Sequence, residues 1–511
     1  MNTYVSVDLG TTTVKVALVR EDGGVVAAES REYPIRSPEA GFAEQDAQAW
    51  WESFVACCSA LRDEHDAILK TVAGVGICGQ MHTQVYLDRG RQILRPAITW
   101  MDQRSSALVG EINGDPETSR TVFAATRNAA ATTYTAPQMR WVQRHQPEIW
   151  SRTAHVLVAK DYLKYRLTDA MATDYSEASG TLLFDVSKLR WSPEMFRLFD
   201  VAPSLMPEAG PSDEIIGKVS REAAALTGIP EGTPVANGCA DNSAAALGAG
   251  MTSPGQVTLI IGTAGVISVC SDSPLADPEN RTVCWNYCLR GRWINLGVTQ
   301  TAGESLNWFR GAFDAEQGSG PAPDVFSQYN NAIRDIPDGS GGLIFLPYLN
   351  GERTPYWDAD ARGVFFGVNL STTKPHFIKA VMEGVSFALR NCVETAESLG
   401  VKIEQIQAVG GGLKSDIWLA TLGKIMKIPL RTVARPDTTL VGTMLLCARA
   451  LGAIGSIDEA VKKIVRYDRQ IHHPAPTPVY EKQYALFLSL YQRLAPAFKE
   501  LAAAGLPGES A

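Results

Sequence analysis

The chain has 511 residues, of which 45% are hydrophobic and 20% are charged. This balance is typical of globular proteins and excludes a disordered or collagen-like chain, and the length accommodates about three domains or two large ones. The formal net charge of −8 argues against a nucleic-acid-binding protein, because such proteins usually present a basic face.

Nine cysteines are scattered along the chain without a CxxC pair, and the seven histidines form no cluster. This pattern predicts a reduced chain with neither a disulfide framework nor a zinc site. The sequence MNTYVSVDLG lacks the basic and apolar segments of a signal peptide. The most apolar stretch, residues 257–270, is too short to span a bilayer. We therefore expect a cytoplasmic protein that acts on small molecules, with no membrane or nucleic-acid partner.

Short β-like runs alternate with longer amphipathic segments, which predicts an α/β protein. Residues 4–9 and 14–19 are predicted strands on either side of a Gly-Thr turn. The unit of strand, Gly-Thr turn and strand recurs from residue 257 onwards as VTLII-GTAG-VISVC. This repeat indicates two related domains, which we place at residues 1–245 and 246–511.

The first of these turns, DLGTTTVK, carries residues suited to phosphate binding. Glycine lets the backbone approach a phosphate closely, and the amides and hydroxyls of Thr11, Thr12 and Thr13 can donate hydrogen bonds to its oxygens. Asp8, at the strand end, is placed to hold Mg²⁺, and Lys15 could reach the same phosphates. For one such short motif alone, an ordinary polar hairpin is the favoured interpretation.

The second turn makes phosphate binding more favoured than an ordinary polar hairpin, because Gly262 and Thr263 repeat the pattern in the second half of the chain. Two Gly-Thr hairpins, one in each half, could clamp the phosphates of a nucleotide from both sides. The sequence contains no GxxxxGK[ST] motif and no GxGxxG that opens a helix near its start, so neither a P-loop enzyme nor a dinucleotide-binding fold is predicted.

Asp241 follows the apolar run PVANGCA and precedes a small-residue helix. It could act as a general base that takes the proton of an alcohol during attack on a γ-phosphate. It could equally be the N-cap of that helix, and the residues alone leave the two interpretations even. For His82, in the segment GQMH, a core or loop histidine with a satisfied hydrogen bond is the favoured interpretation. The segment WMDQR could supply polar groups to a polyol, with a solvated turn as the alternative. The segment GERTPYW is predicted to form an interdomain or lid contact.

The clearest predicted helix covers residues 376–399, where apolar residues recur on one helical stripe. Further on, a predicted strand leads into GGGLKSD, with Ser415 as the N-cap of a helix over residues 416–427. A strand that runs through a glycine turn into a helix N-terminus is a natural phosphate or nucleotide contact. Gly411 and Gly412 are therefore candidate nucleotide-binding residues.

Taken together, these segments resemble the FGGY family of carbohydrate kinases, in family order and over nearly the whole chain. The matching motifs include DLGTTTVK, GFAEQDAQAWW, GICGQMH, WMDQRS, GCADN, IIGTAG, GERTPYW and VGGGLKSD. The resemblance implies an actin-like, ribonuclease-H-like ATPase fold, with two related domains around a deep cleft. It also implies transfer of the γ-phosphate of ATP to a sugar hydroxyl with Mg²⁺, and it is compatible with a homodimer.

The resemblance also implies roles for single residues. Asp241 would be the catalytic base, and Asp8 would organise Mg²⁺. The implied contacts to the nucleotide are Thr11, Thr12, Thr13, Lys15, Gly262, Thr263, Gly303, Asn307, Gly411, Gly412 and Asp416. The implied sugar pocket comprises Met81, His82, Asp102 and Asn242, together with the base.

The sugar-side motifs QMH and DN resemble the branch of the family that phosphorylates D-xylulose to D-xylulose 5-phosphate. Glycerol is disfavoured, because the glycerol-specific members carry Arg-Glu where this chain has Met81-His82 and Gln where it has Asn242. Thr83 and Met101 depart from the usual residues of the branch and leave L-xylulose, ribulose or another ketose or polyol open. A further alternative is a non-catalytic, ATP-switched binding module of the same fold.

Overall fold

The computed structural model describes residues 1–314, 325–471 and 477–504. It confirms the α/β class, because helices cover the faces of two seven-stranded sheets, one in each half of the chain. The Gly- and Pro-rich segment 313–325, which its composition predicts to be a surface loop, lies mostly outside the described residues. Among the described residues, no helix combines the length and the apolar character needed to cross a bilayer.

The strands, numbered in chain order, are β1 Thr3–Leu9, β2 Thr13–Arg20, β3 Val25–Glu32, β4 Glu44–Gln45, β5 Val75–Gly79, β6 Gln84–Leu87, β7 Ala97–Ile98, β8 His155–Val158, β9 Ala172–Asp174, β10 Phe184–Asp185, β11 Arg190–Trp191, β12 Glu208–Gly210, β13 Ile215–Lys218, β14 Pro234–Ala236, β15 Cys239–Ala240, β16 Gln256–Ile261, β17 Gly265–Ser271, β18 Val283–Asn286, β19 Trp293–Thr299, β20 Ile344–Leu346, β21 Val364–Phe366, β22 Gln405–Val409, β23 Leu430–Val433 and β24 Tyr467–Ile471.

The α-helices are α1 Ala47–Leu69, α2 Ser106–Gly114, α3 Pro116–Thr126, α4 Thr135–His145, α5 Pro147–Arg152, α6 Ala159–Thr168, α7 Tyr175–Ser179, α8 Pro193–Phe199, α9 Arg221–Thr227, α10 Asp241–Gly248, α11 Gly303–Phe313, α12 Val325–Ala332, α13 Lys374–Ser398, α14 Asp416–Met426, α15 Thr438–Ala450, α16 Ile457–Ile464 and α17 Pro478–Ala503. Short 3₁₀ turns cover Pro203–Leu205, Ser340–Gly342 and Gly411–Lys414.

The two large sheets share one topology. The first has the order β13-β14-β5-β1-β2-β3, with β15 also paired to β5, and the second has the order β18-β19-β17-β16-β22-β23-β24. In the first sheet, β1 forms an antiparallel hairpin with β2 and runs parallel to β5. In the second sheet, β16 forms an antiparallel hairpin with β17 and runs parallel to β22. A long helix packs on each sheet, α1 on the first and α13 on the second. The repeated Gly-Thr unit of the sequence therefore corresponds to a repeated arrangement of strands, whereas the boundary at residue 245 stays a prediction.

The helix boundaries follow the capping signals of the sequence. Helix α13 begins after Thr373, whose side chain forms a capping box with His376. The side chain of Ser415 accepts a hydrogen bond from the Trp418 amide at 3.1 Å and begins α14, as predicted. Asp241 is the first helical residue of α10 and not its N-cap, which is Ala240. The capping interpretation of Asp241 is therefore wrong.

Helices α10 and α15 are in backbone contact at two glycines. A Cβ atom on Gly248 would lie 1.8 Å from the carbonyl oxygen of Thr438, and one on Gly442 would lie 2.0 Å from that of Ala244. Neither position tolerates a side chain at this separation, so both glycines are required for the close approach. Since α15 also packs against β1 and β5, it fixes α10, and with it Asp241, to the first sheet.

Candidate active site

Two carboxylates, those of Asp8 and Asp241, lie at the same edge of the first sheet. Strands β1 and β15 both run parallel to β5, with Asp8 opposite Cys78 and Cys78 opposite Cys239. The carboxyl ends of parallel strands meet at one edge of a sheet, which is where open α/β sheets bind ligands. Strand β15 ends one residue before Asp241, so the two acids are close enough for the charge of Asp8 to act on Asp241.

The environment of both acids favours their protonated forms. Burial and, second, the negative charge of Asp8 raise the pKa of Asp241 to about 7, against a smaller opposing effect of backbone hydrogen bonds. One of these bonds comes from the Asn242 amide, which donates to Asp241 Oδ1 at 2.6 Å. Burial also raises the pKa of Asp8, opposed by hydrogen bonds, the largest with Thr439, and by the charge of Lys15. Both carboxylates would be stabilised by a nearby cation.

The donor set around Asp8 fits Mg²⁺ delivered with a phosphorylated ligand. Magnesium in phosphoryl-transfer sites usually keeps several waters and is held by one or two carboxylates plus substrate phosphates. Over residues 1–314, 325–471 and 477–504, no group of three or more His, Cys, Asp or Glu side chains could hold a metal ion by itself. A cation at Asp8 would therefore take its remaining ligands from phosphate and water oxygens.

The first Gly-Thr turn is fixed by its own backbone and by one tryptophan. The Gly10 amide donates to the Thr13 carbonyl at 3.0 Å, and Trp100 Nε1 donates to Thr11 Oγ1 at 3.0 Å. Thr12, at the tip, is exposed. The turn thus presents a threonine tip at the end of β1, close to Asp8.

Lys15 lies opposite Asp8 in the β1–β2 register. Its ammonium group forms an ion pair with Asp437, the residue before α15, and both side chains are about one-third exposed. The pair therefore links the first hairpin to the second half of the chain. A phosphate contact of Lys15, as predicted, would compete with this pair.

The second Gly-Thr turn is held against the start of α11. The Ala302 amide donates to the Thr263 carbonyl and the Gly303 amide to the Gly262 carbonyl, each at 2.8 Å. A Cβ atom on Gly303 would lie 2.5 Å from the Gly262 oxygen, so only glycine allows this approach. Gly262 and Thr263 are exposed, and they lie beside the N-terminus of α11, whose dipole favours a nearby anion.

The glycine turn after β22, residues 410–412, lies against Ile261 at the end of β16. Gly410 has φ +121° and lies close to the Ile261 carbonyl, and a Cβ atom on Gly412 would lie 2.6 Å from the Ile261 side chain. Gly411 is exposed, with open space at its Cβ position. The structure thus brings Gly262, Gly303 and the 410–412 turn together at one end of the second sheet.

The two remaining predicted nucleotide contacts lie on the helices that follow these turns. Asn307, one turn along α11, donates to Glu304 Oε2 at 3.1 Å. Asp416 begins α14, pairs with Arg469 at 2.7 Å and lines a separate surface cavity of about 700 Å³ that includes neither hairpin. The role of Asp416 as a nucleotide contact therefore stays a prediction.

A cavity of about 590 Å³ opens beside Asp241, within the size range of small-molecule sites. Residues of the first half, among them Met81, His82, Trp100 and Asn242, line one side. Asn242 Nδ2 lies 3.4 Å from Met81 Sδ, so the two predicted sugar contacts touch each other. The cavity therefore joins the predicted base to three of the four other predicted sugar residues.

His82 is held in one orientation and one protonation state. Its Nδ1 lies 2.6 Å from the Gly180 carbonyl oxygen, which can only accept, so Nδ1 carries the proton and Nε2 is left as an acceptor. Burial lowers the pKa of His82 to about 4, so the ring is neutral near pH 7. A Cβ atom on Gly180 would lie 2.9 Å from the ring, so glycine is required there.

Asp102 is placed differently from the prediction and does not line the cavity. Its side chain is fully buried, and its carboxylate accepts hydrogen bonds from Arg104 Nε and Nη2, both at 2.8 Å, and from the Ala43 amide at 2.6 Å. These partners occupy both oxygens. Asp102 therefore fixes the loop that carries Trp100, which does line the cavity.

The far side of the cavity comes from residues that the sequence motifs did not identify as sugar contacts. Trp285, Gln300 and Arg353 reach it from the second half of the chain, and Tyr134 from the first. The tilted Trp285 ring and the edge-on Tyr134 ring lie 5.4 Å and 5.2 Å from the His82 ring. Only the GERTPYW block, predicted as a lid or interdomain contact, signalled part of this wall.

Comparison with known proteins gives a family and several relatives. The N-terminal domain model of the FGGY family of carbohydrate kinases matches residues 3–248, and its C-terminal domain model matches residues 257–451. The xylulose kinase of Bacillus subtilis (strain 168) is 32% identical over 504 residues, which cover 98% of both chains. The gluconokinase of the same organism is 28% identical over 512 residues, again with 98% of both chains covered.

Among solved structures, the xylulose kinase from Rhodospirillum rubrum superposes with a TM-score of 0.88 at 31% identity, over 98% of this chain and 100% of that one. The similarity confirms the predicted actin-like ATPase fold with two related domains.

Proposed function

The chain belongs to the FGGY family of carbohydrate kinases, and from that premise we propose that it transfers the γ-phosphate of ATP to a ketopentose, D-xylulose, to form D-xylulose 5-phosphate. It is a phosphotransferase with an alcohol group as acceptor. The observation that carries the proposal is the cavity in which Asp241 meets Met81, His82 and Asn242. The full-length similarity to xylulose kinases supports the choice of sugar.

In this proposal, Asp241 is the general base. As the sugar hydroxyl attacks the γ-phosphorus, its proton passes to the Asp241 carboxylate and the bond to the β-phosphate oxygen breaks. The Asn242 amide, 2.6 Å from Asp241 Oδ1, stabilises the carboxylate that must be present before the proton is taken. A pKa near 7 suits this role, because the base is then available and still accepts a proton readily at neutral pH.

The neutral His82 orients the sugar. With Nδ1 bound to the Gly180 carbonyl, Nε2 can accept a hydrogen bond from a sugar hydroxyl. The side-chain amide of Asn242 can both donate and accept. These groups would fix the reacting hydroxyl next to Asp241, which is the main contribution that positioning makes to phosphoryl transfer.

The nucleotide would lie between the two Gly-Thr hairpins. The turns at Thr11–Thr13 and at Gly262–Thr263 would donate to the phosphates, and Gly411 and Gly412 would allow close backbone approach. Asp8 would hold Mg²⁺, which supplies charge neutralisation at the transferred phosphoryl group when bound. Closure of the cleft would exclude water, which would otherwise accept the phosphoryl group.

A sugar acid is the second candidate substrate, because the gluconokinase of Bacillus subtilis is 28% identical over the full length. L-xylulose and ribulose also remain candidates, because Thr83 and Met101 depart from the usual residues of the xylulose branch beside the cavity. Thr83 donates to Gln80 and Met101 follows Trp100, and both of these neighbours line the cavity. The ATP-switched binding module, our alternative without catalysis, loses support because the base and the sugar-side residues share one cavity.

The test is a coupled ADP-release assay with Mg·ATP over D-xylulose, L-xylulose, D-ribulose, L-ribulose, D-gluconate and glycerol. A dominant kcat/KM for D-xylulose would support the proposal. A dominant response to another sugar would keep the kinase chemistry and refute the choice of D-xylulose. ADP release that no sugar stimulates, in a preparation that binds the sugars, would favour the binding module.

A further inference from the structure

Arg353 lies between two anchored neighbours. Glu352 accepts hydrogen bonds from Thr299 Oγ1 at 2.6 Å and from the Gln300 amide at 3.0 Å. Thr354 exchanges two bonds with Val298, at 2.9 Å and 3.1 Å. The loop is therefore fixed to the end of β19 on both sides of Arg353, whose side chain lines the cavity.

The Arg353 guanidinium has no protein partner in the part of the chain that the structure describes. Its backbone amide donates to Glu352 Oε1, but its side chain makes neither a hydrogen bond nor an ion pair there. Burial lowers the pKa of Arg353, against smaller opposing effects of the charges of Glu352 and Tyr134. A partly desolvated, unpaired cation is costly for the unliganded protein, so a ligand that satisfies it is expected.

The position of this cation relates it to the sugar site. Arg353 lines the same cavity as His82 and Tyr134, so its guanidinium lies near the wall that those rings form. Asp241 and His82 come from the first half of the chain, whereas Arg353 comes from the second. A sugar in this cavity would therefore be held from both sides of the cleft.

We propose that Arg353 determines substrate specificity by donating hydrogen bonds to an acceptor-only oxygen of the sugar, a ketone carbonyl or a carboxylate. This inference rests on the proposed kinase function. A guanidinium carries only donors and matches an oxygen that only accepts, whereas a hydroxyl needs an acceptor for its own proton as well. A bond to a carboxylate is further strengthened by the opposite charge. Arg353 would thus favour ketoses and sugar acids over polyols of the same length.

The chemistry of ketopentoses gives this contact a specific use. Ring closure of a 2-ketopentose joins O5 to C2, so a sugar phosphorylated at O5 must react in its open-chain form. That form carries a free ketone at C2. A guanidinium bound to the ketone would select the reactive form from the mixture in solution.

The test measures kcat/KM of the full chain for D-xylulose, D-gluconate and the polyol xylitol in the unaltered protein, in Arg353→Gln and Arg353→Lys, and in the control Arg221→Gln. The Arg221 side chain is 89% exposed and pairs with Glu231, away from the cavity. We expect Arg353→Gln to lower the ratio of ketose to polyol kcat/KM by about tenfold to a hundredfold. Arg353→Lys should recover part of the ratio, and the control should retain it.

Thermal unfolding and ATP binding of each variant report folding separately, and quenching of Trp100 and Trp285 fluorescence reports sugar binding. An unchanged ratio in a folded, ATP-binding Arg353→Gln variant would overturn the role of Arg353. If the unaltered chain phosphorylates D-gluconate but not D-xylulose, the proposed ketopentose is refuted. If Arg353→Gln then loses the activity on D-gluconate, the proposed role of Arg353 is supported. Equal binding of xylitol and the two carbonyl-containing sugars to the unaltered chain would overturn the selectivity.

Discussion

The hydroxyl of Ser176 accepts a hydrogen bond at 2.9 Å from the backbone amide of Ala240, the residue before Asp241. Ser176 in turn donates to Asp174 Oδ2 at 2.6 Å, and the other oxygen of Asp174 pairs with Lys160 at 2.9 Å. All these side chains are buried. The strand end that carries the proposed base is therefore fixed by a buried, charged network rooted in α6.

Replacing Ser176 with alanine should lower kcat about tenfold and leave the KM for ATP nearly unchanged. The Ala240 amide would lose its partner in a buried setting, and the backbone before Asp241 would shift. Steady-state kinetics checks the result. Ser176→Thr, which keeps a hydroxyl at this position, should retain more activity than Ser176→Ala. The matched control is Ser187→Ala at an exposed serine of the same region. A loss of ATP affinity as large as the loss of kcat would contradict a positioning role.

Asp241→Asn should lower kcat by about 10² to 10⁴ while Mg·ATP binding changes little. The amide keeps the size of the side chain but cannot take the proton of the attacking hydroxyl. Single-turnover phosphoryl transfer measures the first quantity and calorimetric titration of Mg·ATP the second. Turnover close to that of the unaltered chain would remove Asp241 from the role of base.

The parts of the site that the sequence predicted are those set by local pattern. Asp8 and the two Gly-Thr turns lie within single hairpins, and Asp241 follows a strand whose end could be predicted. The absence of Asp102 from the cavity lining could not be predicted from local pattern, because its carboxylate is held by the Ala43 amide of a loop distant in sequence. Arg353 lies in the GERTPYW block predicted as a lid or interdomain contact, but its entry into the cavity could not be predicted, since it depends on bonds that its neighbours make to β19. Local patterns identified the acids and the turns as candidates and the family resemblance assigned their roles, whereas long-range docking decides which further side chains enter the cavity.

Gly442→Ala should lower the free energy of unfolding by at least about 2 kcal/mol. A methyl group there would lie 2.0 Å from the Ala244 carbonyl oxygen, so α10 and α15 would have to separate. The matched control is Gly110→Ala in α2, where nothing lies within 4 Å of the new methyl group. That change should stabilise the protein by about 0.5 kcal/mol, because alanine is the better helix former. Urea unfolding of both variants checks the prediction, and equal midpoints would contradict the close helix contact.

Glu383 is expected to make stability depend on pH between about 4.5 and 7. It is buried in α13, accepts hydrogen bonds from the Gly339 amide and the Tyr480 hydroxyl at 2.9 Å and from Ser340 at 2.7 Å, and burial raises its pKa to about 7. In the unfolded chain its pKa returns to the ordinary value of 4.5. Between these values the folded state binds the extra proton, so the contribution of Glu383 to stability falls as pH rises through this window.

Glu383→Gln should remove this dependence, because the amide resembles the protonated acid at every pH. The difference in unfolding free energy between the variant and the unaltered chain should therefore grow in favour of the variant from pH 4.5 to 7, by about 3 kcal/mol in total, and then level off. The exposed Glu404→Gln serves as the control, with a constant difference over the same range. Urea unfolding at half-unit pH steps measures both, and a difference that shrinks as pH rises would mean that Glu383 is ionised and stabilising in the folded protein.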